Sequence, residues 1–134
     1  MKKFILFEVL ALSVVLLSGC GQGKGKPIIS FPDDVKTACV TYYSCSPDTS
    51  RELSQEEIIT IKDWAAALDL EHKTFDKEET PNKVYTGGET FAFNVNDGEL
   101  NFSYASIDND YIVMNDEWYL VLNPSFPPIE IEIN

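Results

Sequence analysis

From Val84 to the C-terminus the chain has no lysine and no arginine, but it carries nine carboxylates, Glu89, Asp97, Glu99, Asp108, Asp110, Asp116, Glu117, Glu130 and Glu132. Phosphate recognition runs on cationic side chains, so this half argues against nucleic acid as a ligand. An anionic lipid surface repels it for the same reason. The whole chain has a formal net charge of −12. Solubility is the plain reading of that excess, and attraction of a basic partner or a cation is the sharper one. Histidine is nearly absent. His72 stands alone between Glu71 and Lys73 and reads as a solvated side chain, because a catalytic histidine wants a nucleophile and an orienting carboxylate. There is no G-x-S-x-G elbow, no Walker-type phosphate loop, no H-E-x-x-H and no C-x-x-C. Nor does any spacing single out an acid pair for glycoside hydrolysis. The expectation is a non-enzymatic domain without a metal or diffusible cofactor.

Long apolar runs are missing too. The run at residues 4–17 follows Lys2 and Lys3, contains Glu8, and is 14 residues long. A spanning helix needs roughly 17–25 residues and tolerates a central charge poorly. The length suits a secretory signal instead. It ends in Leu17-Ser18-Gly19-Cys20, which resembles the lipobox of bacterial lipoproteins. The resemblance implies cleavage before Cys20 and a diacylglyceryl thioether, with acyl chains such as palmitate, on its sulfur. Two acyl chains hold a protein stably where one does not. The implied address is the extracytoplasmic face of the cell membrane. Residues 1–19 are thus read as signal and residues 20–27 as lipidated cysteine and flexible linker, glycine-rich with Lys24 and Lys26. Residues 28–134 are read as a single globular domain.

Three cysteines occur, and with Cys20 assigned to lipid, Cys39 and Cys45 remain. An exported protein can bridge such a pair. If the intervening residues are extended, six steps separate the two by roughly 20 Å, against about 4.4–6.8 Å for a disulfide. That favours free thiols, with a bridge open if Thr41-Tyr42-Tyr43-Ser44 turns.

The body predicts an α+β fold, one amphipathic helix packed on an antiparallel meander of about four to six strands. Residues 28–31 and 35–43 read as strands, and residues 46–50 as loop. Ser54 with Glu57 makes a capping box, and Ile58, Ile61, Ala65 and Leu68 fall at helical spacing behind it. Trp64 reads as core. Residues 73–83 are polar and predict a surface excursion. From residue 90 on, Phe91, Phe93 and Val95 alternate, Asn96-Asp97-Gly98 signals a hairpin, and Leu100, Phe102 and Tyr104 alternate back. Asp108-Asn109-Asp110 and Asn115-Asp116 punctuate two more strands at 111–114 and 118–122. The prolines at 124, 127 and 128 stop the sheet. Residues 129–133 alternate again, as an edge strand or an extended tail.

Alternate turns of a meander share one end of the sheet. Asn96, Asp97, Asn115 and Asp116 are therefore candidates for a calcium site, although the same residues are ordinary turn formers. Beyond the lipobox, Asp63-Trp64, Gly87-Gly88-Glu89 and the stretch from Glu117-Trp118-Tyr119 to Pro127-Pro128 resemble small lipoproteins of Gram-positive bacteria with no assigned activity. The functional expectation is a membrane-anchored domain that binds a protein or envelope component. The alternatives are an inhibitor of a cationic secreted enzyme and, behind it, a cation-dependent module or an enzyme.

Overall fold

The computed structural model describes residues 26–44 and 47–132. The signal, Cys20, Cys45 and Ile133 lie outside them. Among the described residues seven strands form one sheet: β1 (Ala38–Tyr43), β2 (Thr49–Glu52), β3 (Leu70–Lys73), β4 (Glu89–Val95), β5 (Leu100–Ser106), β6 (Asp110–Met114) and β7 (Glu117–Val121). Their spatial order is β2-β1-β4-β5-β6-β7-β3, and each pairing is antiparallel. Helix α1 (Gln55–Ala66) crosses one face, and α2 (Pro81–Val84) is a single turn in the long connection to β4. The fold is α+β with an antiparallel sheet, built from more strands than the four to six expected.

Helix α1 forms for the reasons its sequence suggests. The Ser54 hydroxyl accepts from the Glu57 amide at 3.2 Å, and the Glu57 carboxylate accepts from the Ser54 amide at 3.1 Å. Two of the four orphan N–H groups at the helix start are thereby satisfied. Arg51 on β2 adds a bidentate pair to the same carboxylate at 2.9 and 2.5 Å, and its guanidinium also donates to the Glu130 carbonyl at 3.0 and 2.8 Å. The Arg51 hydrogen bonds, with the Ser54 amide second, pull the Glu57 pKa down to about 2. At the other end, α1 has no glycine cap. The Asn123 side chain takes that role, donating to the Ala67 carbonyl at 2.9 Å and accepting from the Asp69 amide at 2.7 Å.

The buried stripe Ile58, Ile61, Ala65 and Leu68 meets Val40, Phe93, Val95, Phe102, Tyr104 and Ile112 on the sheet. Ile61 is 1% exposed. Burying an isoleucine of this kind contributes roughly 1.5–3 kcal/mol. Trp64 packs at 6.1 Å from Phe93 and 5.5 Å from Tyr104, and its indole N–H donates to the Ser125 carbonyl at 3.0 Å. Tyr104 is the polar pin of this core: its hydroxyl donates to Asp110 and accepts from the Ser125 amide at 3.2 Å. Burial, reinforced by the Asp110 carboxylate, pushes its phenol well above the ordinary value.

Two expectations are corrected, and of the two readings of the C-terminal segment one is met. Residues 28–31 form no strand; Ile29 is buried and Phe31 packs edge-on against Phe102 at 5.8 Å, so side-chain packing alone holds them on the sheet. Thr49 and Ser50, read as loop, belong to the edge strand Thr49–Glu52, and Leu70–Lys73 is the other edge. Residues 129–132 are unpaired. There Ile129 and Ile131 lie against the core while Arg51 holds the backbone between them.

Candidate binding face

The helix covers one side of the sheet. On the other side the pleat presents Cys39, Thr41 and Tyr43 from β1, Thr90, Ala92 and Asn94 from β4, Asn101 and Ser103 from β5, and Val113 from β6. Register aligns them into rows. Ser50, Thr41, Ala92, Ser103, Val113 and Trp118 lie opposite one another across six strands. A second row runs Glu52, Cys39, Asn94, Asn101. The small side chains Ala92 and Ser103 sit at the middle, with Tyr43, Asn94, Asn101 and Val113 around them. The result is a shallow hollow of about 360 Å³, closed at one end by Asn115 and Asp116.

The third row passes Tyr43, Thr90, Ala105, Tyr111 and Leu120. Half of it is covered. The connection after β3 folds back over this side and brings Phe75 to 6.0 Å from Tyr111 and 5.9 Å from Trp118. Ala105, Tyr111 and Pro81 are buried there, and burial raises the Tyr111 pKa. The Tyr111 hydroxyl donates to Asp108 at 3.2 Å. The cover takes in the Ala105 end of β5 and leaves Asn101 and Ser103 open.

On the open stretch of β1, β4, β5 and β6 no side chain is charged, and Glu52 on β2 and Asp116 in the β6–β7 turn border it. Of the nine positions named first on this face, none is Asp, Glu, Lys or Arg, in a chain that is 24% charged. An exposed sheet face in a soluble protein normally carries polar and charged residues. Depletion of charge from a patch still open to solvent is the composition of the middle of an interface.

The turn residues read as cation candidates are placed as follows. Asn115 and Asp116, at φ 54° and 61°, make the two-residue turn between Met114 and Glu117. Asn96 and Asp97, also at positive φ, open the β4–β5 turn and line a separate hollow of about 620 Å³ with Asp33, Asp34, Lys36 and Glu99. The Asn96 side chain is fully engaged there. It accepts from the Lys36 and Thr37 amides at 2.8 and 3.2 Å and donates to the Asp34 carbonyl and the Glu99 carboxylate at 2.8 and 2.9 Å. Its amide oxygen thus pins the N-terminal segment to the β4–β5 turn. Among the described residues no three His, Cys, Asp or Glu side chains converge on a point where a metal ion would sit. Asp110 accepts from Tyr104 and Ser106. His72, read as solvated, meets Glu117 across β3 and β7 and lies edge-on to Tyr119 at 5.3 Å. Cys39 is a free thiol exposed on the open face.

No helix among the described residues is long and apolar enough to cross a membrane. No family model matches the sequence, and no solved structure matches the fold. The open face was missed in the sequence because its residues are individually bland. The signal was their alternation with Val40, Phe93 and Phe102, which becomes meaningful only once β1 is known to pair with β4.

Proposed function

We propose that the chain is a lipid-anchored, extracytoplasmic binding domain, tethered to the bacterial cell membrane through a diacylglyceryl group on Cys20, that docks a protein or envelope component on its uncharged sheet face. The observation that carries the binding half is the open, charge-free surface of β1, β4, β5 and β6 in an otherwise strongly acidic molecule. The lipobox resemblance of Leu17-Ser18-Gly19-Cys20 carries the address.

The placement of the first described residue is consistent with both. Lys26 pairs with Asp69 at 3.2 Å, beside Leu70, which lies opposite Val121. That is the end of the sheet away from the Asn115–Asp116 turn, since β7 runs from Glu117 to Val121. Six residues beyond Lys26 span at most about 20 Å. A tether there leaves the acidic turns at the far end, away from anionic headgroups.

Two substitutions test the proposal. Cys20→Ser should move the protein from the membrane fraction to the soluble one. Ala92→Arg, which plants a charge at the middle of the face, should shift the detergent-extracted protein from a larger complex to monomer size on gel filtration. A Cys20→Ser protein that stays with the membrane would overturn the address. An Ala92→Arg protein that keeps its complex would overturn the face.

A further inference from the structure

The open face is too small to hold a partner by itself. Four strands about 4.8 Å apart and about 20 Å of their length present roughly 400 Å², whereas a standard interface takes about 800 Å² from each partner. A stable complex must therefore extend past the face on to a neighbouring surface. On the β7 side the Phe75 cover stands in the way. The end of the sheet bearing the β4–β5 and β6–β7 turns is continuous with the hollow, because Asn115 and Asp116 line it. That end carries Asp97, Glu99 and Asp116, with Glu52 directly opposite Cys39 in the sheet. The neutral patch and the acidic border are independent features of the surface, and they meet at Asp116, which lines the hollow, and at Glu52, opposite Cys39.

Resting on the reading of this face as the docking surface, we propose that its occupant is a folded basic protein, seated with an uncharged patch on Ala92 and Ser103 and a rim of lysine or arginine against Asp97, Asp116 and Glu52. Charge complementarity selects this occupant. Carboxylates at the border of an interface raise the association rate of a cationic partner and repel an anionic one. A second copy of this chain is disfavoured on the same ground, since each copy carries a net charge of −12 and would set its own acidic border against its twin. The partner class includes cationic secreted enzymes, for which this geometry would act as a cap.

The experiment is site-specific photocrosslinking of the full chain in its host cell, with benzoylphenylalanine replacing Ser103 in one strain and Lys62, exposed on the solvent side of α1, in another. The expected result is a protein adduct from position 103 and none from position 62, with a captured protein of net positive charge. Purified, that protein should bind the Asp97→Lys/Asp116→Lys double variant at least about tenfold more weakly, with a flatter salt dependence. An adduct from position 62 alone overturns the proposal and leaves a binding function standing. An adduct with an acidic protein or with a second copy of this chain also overturns it. No adduct at either position overturns the proposal and the binding reading together.

Discussion

Glu57 joins three parts of the molecule at one carboxylate: β2 through Arg51, the α1 cap through Ser54, and the C-terminal segment through the guanidinium that also holds Glu130. Its pKa is lowered from 4.5 to about 2, chiefly by the Arg51 hydrogen bonds. A depressed carboxylate contributes stability that is full above its unfolded value and is lost as pH falls through the folded one. The wild type should therefore lose stability between about pH 4.5 and 2, and Glu57→Gln should flatten thermal melts across that window while costing about 1–2 kcal/mol at neutral pH. The two glycines before β4 give a second contrast. Both have positive φ, 85° at Gly87 and 99° at Gly88. A Cβ on Gly88 would lie 2.5 Å from the Ser106 carbonyl oxygen, whereas one on Gly87 meets nothing within 4 Å. Gly87→Ala should cost about 1 kcal/mol of backbone strain, and Gly88→Ala should cost at least twice that, read as denaturant midpoints.

Elements differ in how far their own residues announce them. Helix α1 was legible because its cap and stripe are local, and β4 to β7 because alternation and turn dipeptides are local as well. The two edges were not. Thr49-Ser50-Arg51-Glu52 is a strand by virtue of its pairing with β1, with no apolar signal of its own. Leu70–Lys73 is recruited to β7 across some fifty residues of chain, and sequence pattern holds no trace of so distant a register. Residues 28–31 failed in the opposite direction: Ile29 and Phe31 look strand-like, yet Ile29 is simply buried in the core and Phe31 packs, half-buried, on Phe102. The segment that follows is held by Asn96. Asn96→Ala removes the acceptor of the Lys36 and Thr37 amides, so hydrogen exchange at those two amides should accelerate well beyond that of the sheet. A stability loss of about 1–3 kcal/mol should accompany it. Unchanged exchange at both would show that the N-terminal segment is held elsewhere.

At the scale of the whole molecule, the sheet divides the labour. One side is filled by α1, the N-terminal segment and the proline-rich C-terminal segment, while the other is half covered by Phe75 and half open. The open half is uncharged and borders acidic turns, and the chain's first described residue lies at the opposite end of the sheet. How the excursion at residues 73–83 would apportion the outer side was not readable from its polarity, because Phe75 and Pro81 act through tertiary contacts. The account rests on this body being held outside the membrane by lipid. The direct measurement is the mass of the N-terminal peptide from the protein extracted from host membranes. The account predicts a peptide beginning at Cys20 and heavier by a diacylglyceryl group. A peptide beginning at Met1, or an unmodified Cys20, would contradict it.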